Sequence, residues 1–563
     1  MSEAEKDRRF NESGSQANRH TCRTLLNCYI REFCRERPDL FSINPKERTY
    51  AVSFRESGVI VSGKLSYCSA MGEHEYESFF VNEGKALDYT YLVQLIIKEL
   101  KHFFPFITEE RAIDFSDKVD NSYHKLALFL QHSAHHQVRD YLSSEQSLLY
   151  GHPFHPFPKN TLGFTAHEVG AFCPELRPSF QLCYFAVRKD VYQEEWVSGA
   201  SRIDHHQSVE AHALHILKDK KAGYEILPAH PWQYEHVQTV AAVKEYIRQG
   251  KIIPLGSFGP LAFPTSSVRT VYIPDLECNI KLPLNIQITN MMRNNNREQM
   301  RRTLDAADYL LRKSCFEEEP NTMIAYEEGV CTCLFENDEV TKLFTAAYRP
   351  VEFDVTSTYV LSALVEAPVQ GEPPRLFSLI HSRNTDRWFR RYLDISLLPI
   401  VRIAEEHGIH FEAHLQNSLL TIRNGLPHTF IIRDLEGVSV NLDKAEDAAD
   451  PAGPLFYSRE AAWARTSYYF VVNHLGSLIH ALAVGVNDEE ERFWAIVQDV
   501  LTEEYERHGN EYVLHLLTAD YFYAKQNLLS CLTGQSETPS YVPVHNVMKK
   551  VGSESYGNNK LLV

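Results

Sequence analysis

The chain has 563 residues, of which 44% are apolar and 12% aromatic, so it is long enough for two to four domains and too apolar for a disordered protein. Its 57 Lys and Arg residues against 74 Asp and Glu residues give a formal net charge of −17. That balance argues against a general nucleic-acid-binding or membrane-binding surface, although it leaves room for a local basic pocket.

The N-terminal segment and the cysteines predict a cellular location. The segment "MSEAEKDRRFNESGSQ" has no apolar core of the kind a signal peptide carries. No apolar run approaches the roughly 18 residues that a membrane-spanning helix needs. The 11 cysteines include no CxxC pair, and an odd number favours free thiols over a disulfide framework or a zinc site. We therefore expect a cytoplasmic protein without a membrane segment.

In chain order, the first 150 residues are predicted to form a mixed, largely helical part. Segment 1–18 is polar and is expected to be mobile, and the helical pattern begins near Thr21. Apolar residues at three-to-four spacing predict helices over 91–104 and 123–142. The intervening stretch "TYAVSFRESGVIVSGKLSYC" predicts short strands.

Two stretches that combine histidine and proline follow. In "GHPFHPFPKNTLGF" (151–164) the prolines exclude a regular helix and hence a helical zinc motif. Three readings stay open there: a plain turn with surface histidines, a zinc loop, or a stiff loop in which His155 and Lys159 hold phosphate oxygens. The second stretch, "LPAHPWQ" (227–233), is predicted to be a scaffold turn packed by Trp232.

The pattern from about 150 to 360 is rich in strands and prolines. The runs "RTVYI" and "IKLPLNIQIT" flank a turn signal, "PDLECN", and predict a strand pair. Alternation in the second strand places Lys281 and Thr289 on its polar face. Thr289 or Asn290 is expected to cap the next helix, with Arg293 in the first turn of that helix.

The segment that leads into the first of these strands, and the start of that strand, add hydroxyl groups and a cation. They come from Thr265, Ser266, Ser267, Arg269 and Thr270, and the second strand supplies Lys281. Hydroxyls combined with Arg and Lys suit a polyanion such as a polyphosphate. The alternative is an exposed sheet face that merely carries polar residues.

After about residue 385 helical patterns return, interrupted by one hairpin. Asn424-Gly425 between two apolar runs is a strong signal for a two-residue turn. That turn pairs Arg423 with Leu426, which sets Asp434 opposite Leu415 and Asn417 opposite Ile432. The segments "EAHLQN" and "RDLEG" therefore meet at the open end of the hairpin.

The side chains that meet there suggest a metal site. A carboxylate from Asp434 and the amide oxygen of Asn417 are a hard-ligand pair suited to Mg²⁺, and protein kinases use an Asp and an Asn in this way. A hairpin with merely solvated polar ends is the alternative. Because no GxSxG, Walker A or GxGxxG motif occurs, the residues favour chemistry by positioning and charge stabilisation over covalent catalysis.

Six separate motifs resemble the IucA/IucC family, the siderophore synthetases that act without a nonribosomal peptide synthetase. They occur in the family's order over 151–437: "GHPFHPFPK", "LPAHPWQ", "PTSSVRT", "KLPLNIQITNMMR", "EAHLQN" and "RDLEG". The resemblance implies an α+β fold, a three-part cradle of thumb, fingers and palm. The thumb would span 1–150, antiparallel-sheet fingers 151–360, and a helix-rich, kinase-like palm 361–563.

The same resemblance implies an ATP-dependent, Mg²⁺-dependent ligase. Such an enzyme adenylates a carboxylate of citrate or a citrate derivative, releases pyrophosphate, and passes the acyl group to an amine or hydroxyl with release of AMP. Free citrate with a diamine or amino alcohol is the preferred substrate pair, and a homodimer is expected. The alternatives are a kinase-like phosphotransferase acting on a small molecule, and a binding protein without activity.

The resemblance also implies roles for individual residues. ATP would be bound by His155, Lys159, Ser267, Arg269, Thr270, Lys281, Glu412, Gln416 and Asp434. The reacting carboxylate would be gripped by Thr289, Arg293 and His414, with Arg293, His414 and Lys281 as the catalytic groups. Mg²⁺ would be held by Asn417 and Asp434. In one departure from the family pattern, no Arg follows Lys159 in "KNTLGF".

Overall fold

The computed structural model describes residues 3–550, apart from Glu36, Glu83, 134–135, 369–370, 381–383, 446–452 and 536–538. Its N-terminal part packs an antiparallel sheet of order β1-β2-β3-β5-β6, with β4 beside β3, against three helices. The elements are α1 (Glu3–Tyr29), β1 (Phe41–Asn44), β2 (Thr49–Phe54), β3 (Val59–Tyr67), β4 (Glu75–Tyr76), β5 (Phe80–Val81), β6 (Lys85–Ala86), α2 (Tyr89–Phe103), α3 (Glu109–Ser133) and α4 (Tyr141–Glu145).

Two of the helix predictions need correction in this part. Helix α1 already begins at Glu3, because the polar segment before Thr21 is rich in Glu, Lys and Arg, which are good helix formers. The helix predicted over 123–142 is the second half of α3 and ends at Ser133. A new helix then starts after Asp140, whose side chain accepts from the backbone N–H of Ser143.

The middle of the chain forms a large antiparallel sheet of order β10-β8-β11-β12-β13-β18-β17-β9. Smaller strands form the sheet β15-β14-β7 and a second sheet of order β16-β22-β21-β19, in which β21 (Ser418–Arg423) and β22 (Leu426–Arg433) come from the C-terminal part. The elements are β7 (Thr161–Leu162), α5 (Ala166–Phe172), β8 (Phe180–Arg188), β9 (Tyr192–Trp196), α6 (Gln207–Leu217), β10 (Tyr224–Ala229), α7 (Pro231–Val237), α8 (Ala241–Arg248), β11 (Ile252–Pro264), β12 (Thr270–Ile273), β13 (Cys278–Lys281), β14 (Leu284–Ile288), β15 (Met291–Arg293), α9 (Arg297–Lys313), β16 (Thr322–Ala325), β17 (Gly329–Cys333), α10 (Asp338–Thr341), β18 (Ala346–Pro350) and β19 (Thr358–Val360).

The predicted hairpin around "PDLECN" is present, since β12 and β13 pair antiparallel with Thr270 opposite Lys281. Its second strand is not continuous, however. Pro283, which lacks a backbone N–H, separates β13 in the large sheet from β14 in a different sheet. Arg293 lies in β15 and not in a first helical turn, because the helix starts only after Asn296, whose side chain accepts from Gln299 N–H.

The C-terminal part is dominated by helices around the largest apolar core. Its elements are α11 (Leu361–Leu364), α12 (Thr385–Ile395), α13 (Leu397–His407), β20 (Ile409–His410), β21 (Ser418–Arg423), β22 (Leu426–Arg433), β23 (Ser439–Asn441), β24 (Phe456–Tyr457), α14 (Arg459–Thr466), a π-helical segment (Ser467–Leu475), α15 (Gly476–Val486), α16 (Glu490–His508), α17 (Glu511–Thr518), β25 (Tyr521–Lys525), α18 (Asn527–Thr533) and β26 (Tyr541–His545).

One helical segment of this part bears on the membrane expectation. By length and composition, Arg459–Val486 is long and apolar enough to cross a membrane, contrary to the expectation from the sequence. Its most apolar window is 78% buried inside the fold. Burial of that kind is typical of the core helix of a globular protein.

A buried ion pair joins the three parts of the chain. Glu145 at the end of α4 is fully buried, and its carboxylate contacts the guanidinium of Arg433 at the end of β22. The same carboxylate accepts from Ser266 N–H at 3.1 Å and from Ser266 Oγ at 2.8 Å. Arg433 in turn donates from Nη2 to the carbonyl oxygen of Gln416 at 2.7 Å. One carboxylate thus positions the loop before β12 and the open end of the β21–β22 hairpin.

Glu145→Gln is expected to lower the free energy of unfolding by about 3 kcal/mol, because it leaves the Arg433 charge buried without a counterion. It should also weaken binding of the ATP that the family resemblance implies, since the Ser266 loop and Gln416 are both held by Glu145 or its partner Arg433. Urea unfolding and titration calorimetry measure the two effects.

Glu504→Gln is the matched control. Glu504 is also buried and pairs with Arg402 at a distance of 2.8 Å, but this pair does not contact the Ser266 loop or Gln416. It should destabilise the fold and leave ATP affinity unchanged. Equal losses of ATP affinity in both variants would contradict a specific role for Glu145.

Candidate active site

The β21–β22 hairpin closes with the predicted two-residue turn, since Arg423 pairs with Leu426. A bulge after Pro427 then shifts the register by one residue, so that Ser418 pairs with Ile432. The predicted pairings of Asp434 with Leu415 and of Asn417 with Ile432 are therefore wrong by one position. The predicted convergence survives, because both segments still meet at the open end, where Arg433 bonds to Gln416.

The first side-chain cluster lies around Lys281. Its ammonium group is 3.1 Å from Asp434 Oδ1 and 3.2 Å from Glu436 Oε2, and the Lys281 side chain is only 7% exposed. Asp434 has a φ of +67°, which turns the chain sharply after β22 and places both carboxylates on one side. Burial opposes ionisation of Asp434, but the charges of Lys281 and Arg349 outweigh it and hold the pKa of that carboxyl far below its usual range.

A second cluster of hydroxyls and cations adjoins the first. The turn between β11 and β12 is closed by hydrogen bonds from Thr265 Oγ1 to the Thr270 carbonyl oxygen at 2.9 Å and from Thr270 N–H to Ser267 Oγ at 3.3 Å. Buried Arg269 donates to the side-chain oxygen of Asn295. The side-chain nitrogen of Asn295 in turn donates to the Lys281 carbonyl oxygen at 3.0 Å. The predicted phosphate-binding residues of this turn therefore come together with Lys281.

Arg293 extends this cationic surface. Its Nη2 donates to Thr289 Oγ1 at 3.2 Å, while its buried Nε has no hydrogen-bond partner among the described residues. Burial and the neighbouring charge of Arg269 lower the pKa of Arg293 to about 10. Arg269, Lys281 and Arg293 together outnumber the neighbouring carboxylates Asp434 and Glu436, which favours a bound anion.

His414 and Glu412 form the opposite wall, in the segment between β20 and β21. Glu412 accepts from Arg465 Nη2 at 3.0 Å. It also packs so closely on Gly437 that a Cβ there would lie 2.2 Å from Glu412 Cγ, so position 437 admits only glycine without displacement. Burial lowers the pKa of His414, and the nearby charges of Glu412 and Asp434 oppose that effect only in part.

Several residues around this wall were missed by sequence reasoning. Lys525 of β25 donates to Tyr469 OH at 2.7 Å, and the Tyr469 ring lies 6.0 Å from the ring of His414. Beneath them, buried His474 bridges the Ala413 carbonyl oxygen at 2.7 Å to the hydroxyl of Tyr392. No spacing in the sequence links Arg465, Tyr469, His474 or Lys525 to the hairpin, because they come from separate elements.

The His-Pro stretches have one structural use in common. Each histidine accepts, through Nδ1, a hydrogen bond of 3.1–3.2 Å from the backbone N–H two residues later, as seen for His152 with Phe154, His155 with Phe157 and His230 with Trp232. The stretch 151–160 is irregular, as predicted, but the predicted scaffold turn at 227–233 is the junction of β10 and helix α7, with His230 as the helix N-cap. Histidine here replaces the usual Asp or Ser cap.

His155 and Lys159 differ in their access to the cationic surface. His155 is buried next to Asn290 and Arg293, and burial lowers its pKa to about 4. Lys159 points away, because its ammonium group donates to the Leu148 carbonyl oxygen at 2.5 Å and to Glu175 at 2.7 Å, with both side chains buried. The structure therefore brings His155, and not the Lys159 ammonium group, to the predicted phosphate residues.

The residues present fit both ATP and Mg²⁺. The cations at Arg269, Lys281 and Arg293 outnumber the carboxylates Asp434 and Glu436, as a polyphosphate requires. Asn417 donates from Nδ2 to the Glu412 carbonyl oxygen at 3.3 Å, which leaves its amide oxygen for a cation. Within the described part of the chain, no group of three or more His, Cys, Asp or Glu residues could hold a metal, which disfavours the zinc reading of the His-Pro loop.

Comparison with known proteins decides the family. A model of the IucA/IucC family matches residues 140–349, and one described as ferric iron reductase FhuF-like transporter matches residues 386–540. The L-2,3-diaminopropanoate–citrate ligase of Staphylococcus aureus is 30% identical over 556 residues, covering 93% of this chain and 94% of that protein. The chain belongs to the IucA/IucC family. The spermidine–citrate ligase of Bacillus anthracis is 26% identical over 601 residues, covering 94% of this chain and 97% of that protein.

Two solved structures share the mixed α/β fold of this chain. The ATP-bound aerobactin synthetase IucA from a hypervirulent pathotype of Klebsiella pneumoniae superposes with a TM-score of 0.83 at 22% identity, covering 94% of this chain and 99% of that one. The petrobactin biosynthesis protein AsbB from Bacillus anthracis str. Sterne superposes with a TM-score of 0.79 at 18% identity, covering 98% of each chain.

His414 is expected to titrate below the ordinary histidine pKa of about 6.5, because burial disfavours its charged form. Glu412→Gln should move the titration to still lower pH, since it removes the carboxylate that most favours the protonated ring. Nuclear magnetic resonance of 13C-histidine-labelled protein, with His414→Gln to assign the signal, measures both values. A midpoint above 6.5 would show that His414 is solvated or paired in a way that the structure does not have.

Proposed function

We propose that this protein is an ATP-dependent siderophore synthetase that joins a carboxylate of citrate, or of a citrate derivative, to an amine or hydroxyl. The observation that carries the proposal is the cluster of Ser267, Arg269, Thr270 and Lys281, which we assign to the ATP phosphates. Arg269 contacts the backbone of Arg293, and Asp434 lies beside both Lys281 and His414, so we assign Arg293 and His414 to the reacting carboxylate. Relatives named as citrate ligases, with L-2,3-diaminopropanoate or spermidine as the second substrate, support the substrate class.

The charges of the site suit adenylation. Attack of a carboxylate oxygen on the α-phosphorus of ATP brings two anions together, and the bond to the pyrophosphate oxygen then breaks. Arg293, with its unpartnered Nε, and Lys281 would offset the negative charge of the five-coordinate transition state. Arg465 and Lys525, beside Glu412 and Tyr469, would bind the other carboxylates of citrate. No covalent enzyme intermediate is needed.

Other residues are assigned to the nucleotide and its metal. His155, Glu412 and Gln416 would contact ATP, and Thr289 would orient Arg293 against the reacting carboxylate. Lys159 would act through the buried Glu175 pair, supporting the wall of the nucleotide site. Asn417 and Asp434 would hold Mg²⁺, which, when bound, neutralises phosphate charge and assists departure of pyrophosphate.

The larger organisation is proposed on the family resemblance. The chain would divide into a thumb (1–150), fingers (151–360) and a kinase-like palm (361–563) that form a cradle around the site, and it would act as a homodimer. Eleven cysteines, none in a disulfide within the described residues and nine of them buried, suit a reducing cytoplasm. Sedimentation velocity at micromolar concentration tests the dimer.

The products separate this proposal from its rival, the kinase-like phosphotransferase. With ATP, citrate, Mg²⁺ and hydroxylamine, we expect AMP, pyrophosphate and a citrate hydroxamate in equal amounts, because the acyl-adenylate passes its acyl group to the added nucleophile. Quantification of nucleotides by chromatography decides the question. Citrate-dependent formation of ADP would contradict the synthetase and favour the phosphotransferase.

Arg293→Ala is expected to lower kcat/KM for citrate in pyrophosphate release by about 100-fold or more, as for loss of a group that stabilises transition-state charge. Arg301→Ala is the matched control, because Arg301 is 78% exposed on the helix that follows. The control should retain the parental value. Activity of the Arg293→Ala variant equal to that of the control would show that the carboxylate site lies elsewhere.

A further inference from the structure

A cavity of about 700 Å³ opens beside His414 and extends away from the phosphate residues. One end is lined by His152, His414 and Gln416, next to the proposed acyl group. The other end is lined by Glu73 and Glu75 of the N-terminal part and by His480 of α15. The cavity therefore connects His414 with a charged cluster that has no role in the proposed adenylation step.

Ion pairs and hydrogen bonds hold that cluster together. Arg23 lies 3.2 Å from Glu73 and 2.7 Å from Glu75. His480 contacts Glu75 through Nε2 at 3.2 Å and buried Glu490 through Nδ1 at 3.0 Å. Burial opposes protonation of His480, but these carboxylates together with Glu73 outweigh it and raise its pKa to about 10. The histidine is therefore a cation at neutral pH.

The charges of the cluster do not cancel. Glu73, Glu75 and Glu490 carry three negative charges, whereas Arg23 and His480 carry two positive charges. The cavity lining adds Arg19 and Glu372, one charge of each sign, and Glu366, which is paired with Arg375, so one negative charge is left. Glu75 is the most accessible of the three carboxylates, with 28% of its side chain exposed against 10% for Glu73 and 1% for Glu490.

Arg23 and His480 both approach Oε1 of Glu75, at 2.7 and 3.2 Å, and no described residue donates a hydrogen bond to Oε2. The buried hydroxyl of Ser362, which lines the cavity on the helix next to Leu415–Asn417, has no hydrogen-bond partner among those residues either. Citrate and ATP are polyanions, which a net negative cluster repels. The chemistry that matches this end of the cavity is a cation with N–H donors.

We propose that this cavity binds the attacking amine, and that Glu75 recognises a second, cationic ammonium group on the same molecule. This inference rests on the proposed ligase function. The attacking nitrogen must be unprotonated, so the recognised charge has to belong to another nitrogen of a diamine, polyamine or diamino acid.

The reaction balances with these groups alone. The nitrogen lone pair attacks the acyl carbon, the bond from that carbon to the AMP oxygen breaks with its electron pair, and the nitrogen loses a proton to solvent, which leaves an amide and free AMP. The distal ammonium takes no part in bond making, and it orients the chain along the apolar cavity wall between Glu75 and His414, which includes Tyr67, Val365 and Val484.

The test compares 1,4-diaminobutane with n-butylamine, which has the same chain length and lacks the second nitrogen. In amide formation, Glu75→Gln should raise KM for the diamine at least 10-fold and leave KM for the monoamine unchanged. Citrate-dependent ATP–pyrophosphate exchange, which needs no amine, should be unaffected. Glu75→Asp, which retains the charge, should give an intermediate KM for the diamine.

Glu77→Gln is the matched control, because Glu77 is exposed two residues along the chain and does not line the cavity. Thermal unfolding of each variant checks the fold. An unchanged preference for the diamine in Glu75→Gln, with exchange intact, would overturn the inference.

Absence of citrate-dependent exchange in the parental protein would overturn the ligase function instead. Calorimetric titration with 1,4-diaminobutane alone would then test whether the cavity binds a diamine. Binding that Glu75→Gln weakens at least 10-fold would support the inference, and binding that is absent or unaffected would overturn it.

Discussion

The site depends on the buried ion pair between Glu145 and Arg433. A charge as deeply buried as Glu145 is costly unless it is paired and hydrogen-bonded, and this carboxylate meets both conditions through Arg433 and Ser266. The result is a rigid connection between a helix end, a loop and a hairpin end that are far apart in the chain. Without this connection, nothing in the Glu145–Arg433 network would fix the position of the Ser266 loop relative to the hairpin end that carries Asn417 and Asp434.

Charged side chains divide the site into two regions, one that favours anions and one that favours cations. A protein with a net charge of −17 gathers Arg269, Lys281 and Arg293 on one surface, where they outnumber the carboxylates Asp434 and Glu436 and favour a bound polyanion. On the far side of His414 the cavity ends in a cluster with surplus negative charge. This separation suits the proposed binding of an anion and of an amine with a second, charged nitrogen, because each ligand is attracted to a region of opposite charge.

Backbone constraints set the walls of the site. The His-Pro stretch is held by its own histidines, by Phe154 and Phe157 in the N-terminal apolar core, and by Glu366, which accepts from the backbone N–H groups of residues 149–151 at 2.8–3.0 Å. Gly437 allows the close approach of Glu412, and the left-handed conformation of Asp434 turns its carboxylate to Lys281. These features explain how the backbone of a stretch rich in histidine and proline is held in one irregular conformation.

The sequence by itself determined the family, the hairpin at Asn424-Gly425, the strand pair around "PDLECN" and the convergence of the polar segments at the hairpin end. Those conclusions depend on local turn chemistry and on motifs, which a linear pattern carries. It misplaced Arg293 in a helix, because the pairing of Arg293 with Leu284 and the later helix start at Asn296 are visible only in the structure. It also treated β13 and β14 as one strand, because the sequence does not show that the two strands join different sheets on either side of Pro283. It also missed the bulge that shifts the hairpin register by one residue.

Only the tertiary structure decided which charged groups meet. The pairing of Lys159 with Glu175, of Glu145 with Arg433 and of Lys281 with Asp434 joins residues between 16 and 288 positions apart, and no periodicity links them. The same holds for Arg465 and Lys525 beside Glu412 and for the cavity between Glu75 and His414. The physical reason is that long-range ion pairs arise from packing, whereas hydrophobic spacing and turn residues act within a few positions along the chain.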